Sequence, residues 1–374
     1  MIHTPGFIWT VLFFLLAIGP LVFIHELGHY FVARWCGVKS EVFSIGFGRE
    51  IFGWTDKRGT RWKIGWLPLG GYVRFAGDMN AVSQPDDQWK ALPEAERQMT
   101  FPAQPVWKRF LIVLAGPAAN FIAAVLVFMV LAGAIGELRT PPVIGAVSAG
   151  SVAQKAGFRV GDEIVAINGR GISRFTDIGQ YVELRPKELM NFDVKRGGQV
   201  ISIAAAPAED VLVDRFGNKI RRGLMGIASG QGQWTKVPVL ELPAAGVRQT
   251  AQMLRSMVDG LGQIITGQRS MKEMGGPLMI AKYSGQAATY GWPAFLGFVA
   301  MISINLGFIN LLPVPMLDGG HLFFYMIEAV TRRPVSIKVQ EWAFRSGFAL
   351  LMALMVFVTF NDLSSFGLFG RSAG

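Results

Sequence analysis

Four long stretches of this chain carry no Asp, Glu, Lys or Arg, and no other feature limits its fold as much. They run from Phe7 to Ile24, from Phe110 to Gly136, within Tyr283 to Leu317, and from Ser346 to Asn361. A bilayer core ~30 Å thick asks for about 20 apolar residues of helix. The first three stretches meet that length. The fourth reaches it with Ala343, Phe344 and a snorkelling Arg345. With 51% of residues hydrophobic and only 17% charged, intrinsic disorder is excluded, and one large soluble core is a poor fit. The expected fold is a polytopic α-helical membrane protein with about four transmembrane helices.

Basic residues near the span ends set the orientation. Residues 1–6 hold no Lys or Arg, whereas the segment 36–109 holds eleven. Both termini are therefore expected outside, with 36–105 as a cytoplasmic loop. The absence of a basic residue before the first span also argues against a cleaved signal peptide. The +10 net charge fits topology and anionic lipid rather than nucleic acid. One cysteine, Cys36, excludes an internal disulfide and a multi-cysteine metal site.

These signals divide the chain into a first transmembrane helix (1–35), the cytoplasmic loop, a second helix (106–137), a compact outer domain (141–228), an amphipathic helical connector (238–288), a third helix (289–321) and a fourth (340–362). Within the loop, aromatic and β-branched runs between Glu41 and Phe75 flank the turn Thr55-Asp56-Lys57-Arg58-Gly59, a hairpin pattern. Asp78 to Thr100 is polar and reads as a surface loop. In the connector, Val247, Ala251, Leu254, Val258, Leu261 and Ile265 recur at helical spacing. That stripe fits a helix packed on the outer domain or one lying at the membrane interface.

The chemistry sits inside the membrane. His25-Glu26-Leu27-Gly28-His29 is an HExxH sequence, which on a helix puts both imidazoles on one face. Glu26, one position on, can reach a water beside the metal. Ionisable residues within a span are costly and usually functional, and here three fall in five residues. At ~1.5 Å per residue, His25 lies roughly 27 Å from Phe7, close to the cytoplasmic face. The third uncharged stretch crosses in the same direction and ends at Asp318, so it delivers a carboxylate to the same side. Two His and one carboxylate with an open fourth position form a catalytic zinc site. His321 is a rival to Asp318 as the third ligand, and Asp318 is favoured.

Together with Gly116-Pro117-Ala118-Ala119-Asn120 (GPxxN), Asn310-Leu311-Leu312-Pro313 and Leu317-Asp318-Gly319, this motif resembles the site-2 protease family of intramembrane zinc metalloproteases, in particular its bacterial members. The likeness extends to the 41–75 β region, Gly276-Pro277-Leu278 and Phe360-Asn361-Asp362. It implies Zn²⁺ held by His25, His29 and Asp318, with Glu26 as general base. It also implies substrate contacts from Asn310 and from the strand containing Gly71, Tyr72 and Val73. The 141–228 segment resembles a PDZ-like α+β domain, single where the best-known members carry two.

The expected activity is zinc-dependent cleavage of single-span membrane proteins in a bacterial inner membrane, with the active site near the cytoplasmic face. The resemblance suggests an anti-sigma factor trimmed by another protease, and remnant signal peptides, as substrates. A non-catalytic PDZ-type adaptor would not need Glu26. A zinc transporter would need neither Glu26 nor an outer peptide-binding module.

Overall fold

The computed structural model describes residues 6–77, 89, 91–213, 219–230, 232–266 and 275–365. Two compact units emerge. One comprises 1–131, 243–258 and 274–374, and the other 132–242 and 259–273.

The first unit opens with α1 (Phe7–Trp35). Pro20 sits inside it, and spans tolerate such a residue because neighbours re-satisfy the freed carbonyl. Two strands follow, β1 (Ser40–Thr55) and β2 (Arg61–Phe75), which form an antiparallel hairpin. The ladder folds back on itself. Phe43 pairs with Val73 on one side and with Trp62 on the other, and Trp62 pairs again with Trp54. The four runs thus lie in the order 71–75, 42–45, 61–64, 52–55, with 71–75 at an edge among the described residues.

Aromatic rings lock this sheet to α1. Tyr30 lies 5.7 Å from Phe43 and 5.2 Å from Trp62, and Phe43 stacks on Trp62 at 4.3 Å. Asp56 closes the turn. It accepts from the backbone N–H of Arg58 and Thr60, from Trp62 Nε1 and from the Tyr30 hydroxyl. The polar stretch expected at 78–100 contains a short helix α2 (Glu94–Arg97), while 78–88 and Lys90 fall outside the described residues.

Next comes α3 (Val106–Ile135). It runs so close to α1 that a Cβ on Gly28 would sit 2.4 Å from the Ala115 carbonyl oxygen. Small residues allow such approaches between apolar helices, which in lipid associate by packing rather than by hydrophobic drive.

The second unit pairs β3 (Glu137–Arg139) with a late strand, and β4 (Ile144–Val147) with another. Between these lie α4 (Val152–Ala156), β5 (Glu163–Ile167), β6 (Arg170–Gly171), α5 (Phe175–Glu183), β7 (Met190–Arg196), β8 (Gln199–Ala205), β9 (Ala208–Val213) and β10 (Lys219–Leu224). The partner of β4 is β11 (Ile227–Ser229), and that of β3 is β12 (Gln233–Thr235). A four-stranded sheet of order β6-β5-β7-β8 packs Ile164, Ile167, Phe192 and Val194 with Ile178 of α5 and Ala153 of α4 into one apolar core. Ser151 caps α4 and Gly157 ends it in the left-handed conformation, the usual pair of stop signals.

The connector read at 238–288 is two helices, α6 (Leu242–Ile265) and α7 (Pro277–Thr289), and 267–274 fall outside the described residues. α6 buries the stripe seen in its period only in part, with Ala251, Leu254 and Leu261 half-buried. Val247, Val258 and Ile265 are exposed. Instead Ala245, Gly246 and Thr250 are buried, and Met253, Leu254 and Met257 pack on Phe128 of α3 and on Ala300 and Ile304 of the next helix. A Cβ at Gly246 would lie 2.6 Å from the Val125 carbonyl oxygen. Close approach of the backbones selects the small-residue face over the more apolar one.

The segment read as one span over 289–321 is divided. α8 (Trp292–Leu311) stops, an irregular Leu312–Leu317 link follows, and α9 (Asp318–Thr331) begins. Pro313 and Pro315 explain the break, because each lacks an N–H and forces its predecessor into extended backbone. Leu312 is indeed extended (ψ 142°). α10 (Ile337–Ser365) closes the chain. Its Asp362 caps the start of α7, accepting from the N–H groups of Gly276, Leu278 and Met279. Among the described residues four helices, α1, α3, α8 and α10, are long and apolar enough to cross a membrane.

Candidate metal centre

His25 and His29 project from one face of α1, four residues apart, and both are buried. Their Nε2 atoms are 3.2 Å apart. Asp318, the first residue of α9, brings Oδ2 to 3.2 Å from His25 Nε2 and 3.5 Å from His29 Nε2. The three ligand atoms form a group able to hold a metal ion. A tetrahedral ion with bonds of ~2.0–2.1 Å has ligand–ligand edges of ~3.3–3.4 Å. The three observed edges bracket that value, and among the described residues no fourth ligand joins the group. Asp318 Oδ2 is also buried without a hydrogen-bond donor, as expected of an oxygen meant for a cation.

Several elements bring Asp318 here. The two prolines end α8, and the close packing of Gly319 and Gly320 lets α9 start at once. A Cβ at Gly319 would fall 2.1 Å from the Leu312 carbonyl oxygen, and one at Gly320 2.6 Å from that of Val314. Farther along α9, Glu328 accepts from Arg109 of α3 at 2.7 Å, with both side chains largely buried. The Arg109 guanidinium lies 4.9 Å from the Tyr325 ring. That pair clamps α9 against α3.

A cavity of about 200 Å³ adjoins the three ligands, lined among others by Glu26, Tyr72, Val73, His321 and Tyr325. His321 stands outside the ligand group. Its ring packs 5.0 Å from Phe344 of α10. Glu26 faces the cavity, and its carboxylate accepts from the Val73 backbone N–H. The edge run 71–75 thus meets the motif directly. Gly71 makes that contact possible, since a Cβ there would lie 3.1 Å from Glu26 Cγ and 2.7 Å from the Ser44 carbonyl oxygen. Asn310 is half-buried near the end of α8 and is not among the residues lining this cavity.

Reading the residues one by one does not reveal how α3 serves this site. His29 Nδ1 donates to the Ile112 carbonyl at 2.8 Å. A Cβ at Gly116 would fall 2.2 Å from His29 Nε2. Asn120, fully buried, touches His25 Nδ1 at 3.0 Å through its amide, and Ser303 of α8 donates to the Asn120 carbonyl at 2.8 Å. The only signal for these contacts in the sequence is the GPxxN pattern itself.

The chain matches peptidase family M50 over residues 13–354. A protein of Agrobacterium fabrum named "Putative zinc metalloprotease" is 43% identical over 357 residues, covering 94% of this chain and 95% of the relative. A Rhizobium meliloti protein of the same designation is 42% identical over 362 residues, covering 95% and 96%. The Caulobacter vibrioides "Metalloprotease MmpA" is 36% identical over 388 residues, covering 97% and 98%. A match over most of the sequence, and relatives aligned across nearly their whole lengths, establish that the chain belongs to peptidase family M50, the site-2 protease family.

Proposed function

We propose that this protein is a zinc-dependent endopeptidase that cuts the transmembrane segments of single-span membrane proteins. One observation carries the reading. Two imidazoles and a carboxylate lie at tetrahedral-edge distances beside a cavity that Glu26 also lines. Bound zinc would polarise the scissile carbonyl and lower the pKa of water to ~7.

The protein's own groups do the rest. Glu26 takes a proton from the attacking water and passes it to the leaving amine. The Val73 N–H holds the Glu26 carboxylate toward the cavity. A substrate helix hides its amides in its own hydrogen bonds, so cleavage requires local unwinding. The edge run containing Gly71, Tyr72 and Val73 offers replacement partners by β-addition, and Asn310 is assigned a substrate-backbone contact beyond the cavity.

We assign the protein to a bacterial inner membrane, with both termini outside and the metal near the cytoplasmic face. The 141–228 segment is read as a PDZ-like domain that screens substrates, supported by its four-stranded sheet with two helices. An anti-sigma factor already trimmed by another protease, and remnant signal peptides, are the substrates proposed.

The test is cleavage of a purified single-span substrate in detergent. Glu26→Gln is expected to lose on the order of 10²–10⁴-fold in rate while retaining stoichiometric zinc. Substantial proteolysis by that variant would remove Glu26 from the mechanism.

A further inference from the structure

An imidazole that faces a cation through Nε2 must carry its hydrogen on Nδ1, and that hydrogen needs an acceptor. For His29 the acceptor is in place. Its Nδ1 lies 2.8 Å from the Ile112 carbonyl oxygen, which can only accept, so Nδ1 carries a hydrogen and, in the neutral ring, Nε2 is the nitrogen left for a cation.

His25 is different, because its Nδ1 partner is an amide. Asn120 has two ends. Through Nδ2 it donates to a bare Nδ1, the contact seen at 3.0 Å. Through Oδ1 it would accept from a protonated one. A half-turn of the amide exchanges the two. Asn120 is 0% exposed, and its Oδ1 is buried with no hydrogen-bond partner. A buried amide oxygen without a donor, beside a ligand nitrogen that needs an acceptor, is a complementary pair.

We infer that Asn120 is a positioning residue for the metal site. It turns Oδ1 onto His25 Nδ1–H and so fixes the tautomer in which Nε2 is free to bind the cation. The inference rests on the zinc reading above and adds a role for the Asn of the GPxxN sequence. Gly116, one turn earlier on α3, provides the room for His29, so one short stretch of α3 sets both imidazoles. The Ser303 hydroxyl bond to the Asn120 carbonyl anchors that stretch to α8.

The experiment measures zinc affinity of the full-length protein in detergent by competition with a chelator, alongside the ¹⁵N spectrum of its four histidines. Asn120→Leu keeps the bulk and removes the acceptor, and zinc affinity should fall by about 10–100-fold. Asn120→Asp keeps an acceptor at the same place and cannot donate, so it should hold zinc at least as tightly as the wild type. In zinc-loaded wild type, His25 Nδ1 should show the shift of a protonated ring nitrogen.

Unchanged affinity in Asn120→Leu would overturn the inference. So would weakened binding in Asn120→Asp, which stays informative if the Leu variant fails to fold, or a bare Nδ1 in the loaded protein. Wild-type protein that takes up no zinc would overturn the metal reading itself, an outcome distinct from loaded wild type with indifferent variants.

Discussion

Asp318 and His321 lie one helical turn apart at the start of α9, and only one of them meets the two imidazoles. Asp318 Oδ2 stands within 3.5 Å of both, whereas His321 faces the Phe344 ring. Asp318→Ala is therefore expected to strip zinc and abolish cleavage. His321→Ala should remain zinc-loaded, whatever its rate. Metal analysis of the two purified variants decides, and a metal-poor His321→Ala would move the third ligand. Gly116 tests the fit from the other side. Its added Cβ would overlap the His29 ring at 2.2 Å, and the ring cannot yield without losing the Ile112 contact. Gly116→Ala should lose zinc at least tenfold, with helix content by circular dichroism unchanged. The HExxH pair was legible in the sequence, because i and i+4 share a helix face by backbone geometry alone. The choice between Asp318 and His321 was only favoured there. It depends on where Pro313 and Pro315 end α8.

At the scale of elements, the hairpin of β1 and β2 matters most. Its ring contacts with Tyr30 and its Asp56 turn hold it against α1, and its edge run 71–75 comes to rest on Glu26. Gly71→Ala places a methyl near Glu26 Cγ and the Ser44 carbonyl, so the edge must shift outward. If that edge templates the substrate backbone, cleavage of a stable helical substrate should fall more than that of a substrate carrying a helix breaker. Zinc content should stay constant. Equal losses for the two substrates would reduce the strand to a support for Glu26. The hairpin pattern could be read from alternating aromatic and β-branched residues around a Gly-containing turn. Its double pairing, with Trp62 between Phe43 and Trp54, could not, since strand order depends on contacts distant in sequence. α6 teaches the same lesson in reverse. Its apolar stripe is visible at helical spacing, yet the fully buried residues are Ala245, Gly246 and Thr250. Of the stripe, Leu254 shares the packed face while Val247, Val258 and Ile265 stay exposed, because close helix packing in an apolar chain rewards small side chains.

For the molecule as a whole, the second unit carries its own stability switch. Burial by itself would raise the Asp162 carboxyl. Arg196 outweighs it, its Nε and Nη2 each donating at 2.7 Å to one of the two oxygens and the Arg159 N–H adding a third bond, and the carboxyl is held below its ordinary value. A depressed folded-state value means that the ionised form favours the fold. That contribution is complete above the ordinary carboxylate range of ~3.9 and disappears as pH falls below it. Asp162→Asn should therefore lower the thermal midpoint of this unit at pH 7 and flatten its decline on acidification, followed by circular dichroism of the full-length protein. An acid limb identical to the wild type would show that the pair is energetically idle.

What the sequence determined by itself is what local physics can enforce: charge-free stretches long enough to cross a bilayer, the shared face of His25 and His29, and the proline break after α8. What only the tertiary structure decided is what distant segments do on meeting. It brought Asp318 to the imidazoles, laid Gly116 and Asn120 of α3 behind them, and set the edge of the hairpin against Glu26. The reason is physical. Helix period and hydropathy act over a few residues, whereas a coordination site is assembled by packing between segments whose separation in the chain carries no record of their distance in space.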